Sequence, residues 1–124
     1  MSKNLVARLS VIVYALIIAQ FGINHITDGT RMAGLVPHYF PAPVFLIYFT
    51  GFALILAAIA FLINIKVQLA GYLLGTLLVI IVATLHFPLL MSTVDDLSRM
   101  TAKLNTAKDL GLAAAAFYIG SKHS

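Results

Sequence analysis

The residues of this chain that could do chemistry are few, and they lie near the ends of long apolar segments. His25 closes the first segment, His86 lies towards the end of the third, and Asp109 stands at the start of the fourth. Histidine titrates near neutral pH, and both residue types can exchange a proton with a bound molecule. Because an ionisable side chain within an apolar membrane segment is costly, these three mark a candidate functional site.

Three further polar residues belong to the same candidate site. Asn24 precedes His25, and Gln20 lies one helical turn before Asn24 on the same side. Lys108 precedes Asp109, and we expect it either to pair with a carboxylate or to extend to the headgroups. In an up-down-up-down bundle, the ends of the first and third segments and the start of the fourth lie at one membrane face, so all of these residues share one end. They predict a polar ligand-binding pocket formed by Gln20, Asn24, His25, His86, Lys108 and Asp109.

Structural roles are the competing interpretation of the same residues. Histidines near helix ends can be hydrogen-bonded interfacial residues, and Asp109 at a helix start is favoured by the helix dipole. The chain contains no GxGxxG, HExxH, CxxC or nucleophile-elbow motif, so no catalytic residue is assigned. It has no cysteine and no local pair of histidines with ligand spacing, so no metal site is predicted.

Four apolar segments must position these residues. Residues 9–27, 44–63 and 67–94 contain no Lys, Arg, Asp or Glu, and residues 110–121 form a shorter fourth segment. A helix needs roughly 20 apolar residues to cross a hydrocarbon core of about 30 Å, so the fourth must begin near residue 101. We predict an all-α integral membrane protein. It is a single domain, an antiparallel four-helix bundle with spans at about 9–26, 44–63, 68–87 and 101–120.

Composition agrees with a membrane protein. Hydrophobic residues make up 61% of the chain and charged residues 10%, whereas soluble domains carry about 25% charged residues. The net charge of +4 comes from basic residues at the ends of the apolar segments, where they anchor spans. We therefore predict a lipid bilayer as partner and no nucleic acid. No small-x-small cleavage site follows the first segment, which we expect to be retained.

The connections predict local geometry. Residues 31–43 contain three prolines, so we expect an irregular segment at the interface or folded back over the bundle. Residues 64–67 are long enough only for a tight helical hairpin, and Pro88 predicts a kink or an exit in the third span. Ser92 or Thr93 is predicted to cap the next helix, which continues into the fourth span.

Two further patterns concern packing. Gly71 and Gly75 form a small-xxx-small pattern, which predicts close helix packing within the bundle rather than a dimer face. Val94, Leu97, Met100 and Leu104 follow at helical offsets and predict an amphipathic turn at the interface.

Orientation depends on the basic residues. Four spans place both termini on one side, with Lys3, Arg8, Lys66 and Lys122 there and four basic residues opposite. The tally is tied, but Lys3 and Arg8 precede the first span, which often dominates the orientation. We therefore predict cytoplasmic termini.

Several motifs together resemble the DoxX-like family of small four-span membrane proteins. They are FGINH at 21–25, VPHYFPAP at 36–43, YFTG at 48–51, LAG at 69–71 and KDLGL at 108–112. The resemblance implies a multi-pass protein of the bacterial inner membrane. It also implies an association with quinone-linked oxidation and with a membrane or redox protein partner.

Two functions follow as alternatives. In the first, the protein is a redox-associated subunit that binds a quinone-like, lipid-soluble ligand in the polar pocket at the non-cytoplasmic end. In the second, it is a non-catalytic membrane component that scaffolds a partner or passes a small molecule. The absence of cysteine excludes thiol-relay chemistry from either. Whether the protein is an enzyme stays open.

Overall fold

The structure is a computed structural model that describes residues 2–123. Within that range the regular elements are all helical, as predicted. They are α1 (Lys3–Thr27), α2 (Gly29–Ala33), α3 (Pro43–Ile63), α4 (Val67–Ile81), a π-helical segment (Val82–His86), α5 (Phe87–Ser92) and α6 (Asp96–Ser121). Three helices are long and apolar enough to cross a membrane: Lys3–Thr27, Pro43–Ile63 and the continuous Val67–Ser92. Helix α6 is not among them because its first half is polar.

The long helices pack in pairs that run in opposite directions. Arg8 near the start of α1 contacts the end of α3, whereas Gly22 further along α1 meets Gly51 nearer the start of α3. Helices α4 and α6 also run in opposite directions, since Gly71 near the start of α4 meets Ala116 and Gly120 near the end of α6. Buried apolar side chains from α1, α3, α4 and α6 form one core, and its two largest fully buried members are Ile18 and Phe61.

Glycines bring the paired backbones together. A Cβ added at Gly71 would lie 2.6 Å from the Ala116 carbonyl oxygen and 2.8 Å from the Cα of Gly120. One added at Gly75 would lie 2.7 Å from the Phe117 ring. Both glycines therefore face α6, and the predicted close packing is confirmed. The crossing of α1 and α3 through Gly22 and Gly51 was not predicted.

The hairpin between α3 and α4 is as tight as predicted. Asn64 and Lys66 adopt the left-handed conformation, with φ of 60° and 56°. The Ile65 amide donates back to the Ala60 carbonyl, which closes the end of α3. The Arg8 guanidinium donates to the Phe61 carbonyl at 2.9 Å and to the Leu62 carbonyl at 2.6 Å. A cation is favoured there because it meets otherwise unpaired carbonyls at the negative end of the helix dipole.

The predicted cap of the last helix is wrong. Thr93 instead donates its hydroxyl to the Leu89 carbonyl of the preceding helix, and Ser92 still belongs to α5. Asp95 is the N-cap of α6, and its carboxylate accepts from the Ser98 amide at 2.9 Å. The backbone hydrogen bond from Ser98, followed by one from its hydroxyl, lowers the pKa of Asp95. From Asp96 the helix continues without a break to Ser121, as predicted.

Candidate functional site

The candidate site begins with a local defect in the third long helix. Pro88 has no amide hydrogen, so the Thr84 carbonyl four residues earlier lacks its helical donor. The helix widens into the π-helical segment Val82–His86, where the Phe87 amide donates to the Val82 carbonyl. The helix then continues to Ser92, so the predicted irregularity is a π-turn within the helix rather than an exit. Such turns often occur at functional sites.

This π-turn carries His86, which contacts the buried carboxylate of α6. The Nε2 of His86 donates to Oδ2 of Asp109 at 2.9 Å. Asp109 is only 6% exposed, and within residues 2–123 it is the one charged side chain that is buried. A buried carboxylate is strongly disfavoured unless it is paired and hydrogen-bonded, so His86 stabilises Asp109 in place.

Lys108 is the second partner of the same carboxylate. Its Nζ lies 3.5 Å from Oδ1 of Asp109, and the side chain remains partly exposed. The same ammonium lies 4.6 Å from the centre of the Phe21 ring on α1. Lys108 therefore pairs with a carboxylate, which is the first of the two positions that we expected for it, while its side chain stays partly exposed.

The hydrogen bond to Asp109 leaves one nitrogen of His86 free. A carboxylate can only accept, so Nε2 carries the hydrogen, and Nδ1 makes no hydrogen bond within residues 2–123. Since no buried side-chain nitrogen of that range lacks a partner, Nδ1 is accessible. In neutral His86, Nδ1 can accept a hydrogen bond from a bound hydroxyl. In the imidazolium form it can donate to a bound carbonyl, while Asp109 balances the charge. The pair can thus hold or release one proton towards a ligand.

His25 lies outside this hydrogen-bonded set. Its Nδ1 donates to the Phe21 carbonyl of its own helix at 2.7 Å. Its Cβ packs against α3, where a Cβ added at Gly51 would lie 2.9 Å away. Within residues 2–123 no hydrogen bond or ion pair joins His25 to Asp109 or His86.

Gln20 and Asn24 are exposed on α1, and their side chains make no hydrogen bond within the described range. The structure therefore brings His86, Lys108 and Asp109 into contact, and places the other three predicted site residues on α1 without a bond to them.

A shallow groove lies along α1 where this helix meets Leu112 of α6. It has a volume of about 510 Å³ and is lined by Leu9, Ser10, Val13, Tyr14, Ile17 and Leu112. The hydroxyls of Ser10 and Tyr14 are both donated to backbone carbonyls, so the groove presents an almost entirely apolar surface.

Polar residues stand beyond one end of this groove. Gln20 lies three residues after Ile17, and Asn24 lies four residues after Gln20, along one side of α1. On α6, Lys108 lies one turn before Leu112. A molecule with an apolar tail and a polar head would match this order of surfaces.

Two tyrosines that the sequence analysis did not single out for the site shape it. Tyr39 in the connector donates its hydroxyl to the Thr84 carbonyl at 2.6 Å. Tyr14 joins α1 to α6 through the Leu112 carbonyl. The contact of Tyr39 could have been sought from the sequence, because Pro88 leaves the Thr84 carbonyl without its helical donor. No pattern in the sequence pointed to the contact of Tyr14.

Within residues 2–123, no three His, Asp or Glu side chains lie close enough together to hold a metal ion. Searches against protein-family models, curated proteins and solved structures found no match to this chain. The resemblance to the DoxX-like family therefore stays a prediction.

Proposed function

We propose that this is a DoxX-like integral membrane protein whose four long helices cross the bilayer as an antiparallel four-helix bundle. The apolar surfaces of the first three long helices support insertion. Large side chains such as Val13, Phe45 and Leu73 are about 60% exposed, so they would face lipid rather than water. Helix α6 would complete the bundle, since its apolar second half packs against α4.

The proposed orientation places the termini in the cytoplasm of a bacterium, at its inner membrane. All four acidic residues of the chain belong to the opposite end, together with the site at Asp109. The cytoplasmic end then carries Lys3, Arg8, Lys66 and Lys122 without an acidic residue. This placement agrees with the preference of basic residues for the cytoplasmic side of a first span.

The proposed function is to bind a quinone-like, lipid-soluble ligand at the non-cytoplasmic end and to exchange protons with it. The observation that carries this proposal is the buried Asp109 bonded to His86, whose Nδ1 is free. The ring of the ligand would meet Nδ1, and its isoprenoid tail would lie in the groove between α1 and α6. Gln20, Asn24 and Lys108 would line the approach.

Electrons would come from a redox protein partner, because this chain offers no cysteine for thiol chemistry. Its own residues supply binding and proton exchange. His86 donates to a quinone carbonyl when it is protonated and accepts from a quinol hydroxyl when it is neutral. Asp109 stabilises the imidazolium and fixes its orientation. No group of this chain is assigned a catalytic role beyond this exchange.

Extraction of lipids from the purified protein tests the proposal. The protein is purified in mild detergent, its lipids are extracted, and isoprenoid quinone is measured by ultraviolet absorbance. The protein is then titrated with a short-tailed benzoquinone. We expect co-purified quinone and saturable binding. Phospholipid alone, with indifference to added benzoquinone, would contradict the proposal and favour a scaffold or a passage for small molecules.

A further inference from the structure

We infer that the α3–α4 hairpin binds an anionic phospholipid, with its phosphate at the start of α4 beside Lys66 and an acyl chain in the groove between the two helices. This site is separate from the one at Asp109. The inference depends on the membrane insertion proposed above, but not on quinone binding.

The groove has the size and chemistry of an acyl-chain site. Its volume is about 420 Å³, and Lys66 is the one charged residue in its lining. It follows α4 from Lys66 to Leu77, which is about 16 Å of helix and close to half of a hydrocarbon core. Small side chains leave the space open, among them Ala53, Ala60 and Ala70.

The start of α4 provides the site for the phosphate. Lys66 is its N-cap but makes no side-chain cap, and the first helical bond runs from the Ala70 amide to the Lys66 carbonyl. The amides of residues 67–69 therefore have no acceptor within the helix. They point outwards at the positive end of the helix dipole, where an anion is favoured.

The charges at this end favour an anionic headgroup over a zwitterionic one. Lys66 is exposed at the mouth of the groove, and no acidic residue belongs to this end of the chain. Arg8 already donates to the carbonyls of α3, and Lys122 lies over the Tyr118 ring. Lys66 is thus the cation positioned to meet a phosphate whose chain occupies the groove.

Native mass spectrometry of the detergent-purified full chain tests the inference. The probes are phosphatidylglycerol and phosphatidylcholine with identical acyl chains. We expect the wild type to retain phosphatidylglycerol preferentially. Lys66→Asn should weaken phosphatidylglycerol binding by about fivefold, since it removes one charge near the membrane surface. Asparagine is chosen because it tolerates the left-handed backbone at this position. Lys66→Arg should restore the binding.

Two matched controls complete the experiment. Lys122→Asn removes a charge from the same end and should leave retention close to wild type. Ala60→Leu fills the groove and should reduce retention of both lipids, whereas Ala114→Leu on the exposed surface of α6 should not. Equal retention of the two lipids, or equal effects of Lys66→Asn and Lys122→Asn, would overturn the inference.

The two proposals fail in distinguishable ways. If the protein retains both phospholipids without regard to headgroup, only the phospholipid site is overturned. If the detergent-purified protein retains neither lipid, the phospholipid site is likewise overturned alone. If the expressed chain is instead recovered in the soluble fraction of lysed cells, membrane insertion and both proposals are contradicted.

Discussion

The hydroxyl of Tyr39 donates to the Thr84 carbonyl at 2.6 Å and so fastens the connector to the π-turn that carries His86. Pro88 makes this contact possible because it supplies no amide to the same carbonyl. A side chain far away in sequence thus donates a hydrogen bond to a carbonyl that would be costly to leave without one in a membrane. The proline-rich connector and the helix defect are parts of one arrangement.

Removing the Tyr39 hydroxyl should therefore loosen this arrangement. We expect Tyr39→Phe to lower the free energy of unfolding by about 0.5–1.5 kcal/mol, because the Thr84 carbonyl loses its donor. Hydrogen exchange of residues 34–42 should become faster. Tyr118→Phe is the control, since Tyr118 is similarly exposed. Equal effects of the two changes would show that the hydroxyl bond does not hold the connector.

Gly71 should tolerate substitution least among the glycines of α4 and α6. We expect Gly71→Ala to lower the free energy of unfolding in detergent by about 1–3 kcal/mol, since the new methyl group meets the α6 backbone. Gly75→Ala should cost less because the Phe117 ring can move away. Gly111→Ala, with open space around its Cβ, should be neutral or stabilising. If the Gly71→Ala and Gly111→Ala variants have the same free energy of unfolding, α4 and α6 do not meet at Gly71.

Arg8 should act as the C-terminal cap of α3. We expect Arg8→Met to destabilise the protein by about 1.5–3 kcal/mol because two charged hydrogen bonds to carbonyls are lost. Arg8→Lys should recover only part of the stability, since a single ammonium lacks the planar fork. The comparison variant is Lys3→Met, which removes an exposed charge in the same helix. If Arg8→Met and Lys3→Met lower the unfolding temperature equally, Arg8 does not cap α3.

The proposed orientation can be measured with single cysteines in this cysteine-free chain. A cysteine at Ser2 should resist an impermeant thiol reagent in intact cells, and one at Thr30 should react. Permeabilised cells provide the control, in which both positions should be labelled. Labelling at residue 2 but not at residue 30 in intact cells would reverse the orientation.

Long apolar segments made the helices predictable, and a single pattern made Gly71 and Gly75 recognisable as a packing surface. The crossing at Gly22 and Gly51 was missed because each is a lone glycine in its helix, and only the tertiary pairing brings the two together. The cap at Asp95 was missed because Ser92 and Thr93 were equally good local candidates. Thr93 is used by the helix before it, which local sequence does not reveal.

For the candidate site, the sequence indicated which residues are costly in a membrane but not how they pair. Apolar surroundings marked both His86 and Asp109, and the structure brings these two into contact. His25 carries the same signal, yet it bonds its own helix and faces α3. The side of α1 on which His25 lies faces α3 because the two helices pack closely at Gly51. The positions of residues along the sequence do not reveal this packing.

The central claim is that the His86–Asp109 pair binds a quinone-like ligand. Its most direct test is a titration of a short-tailed benzoquinone into the double variant His86→Ala with Asp109→Leu. The double variant replaces both partners by apolar side chains, so no unpaired polar group remains buried at this position to unfold the protein. We expect its affinity to fall by about tenfold or more while thermal stability is retained, because the bond from Nδ1 is lost. His123→Ala, at the opposite end, should bind like the wild type. Unchanged affinity in the folded double variant would contradict the account.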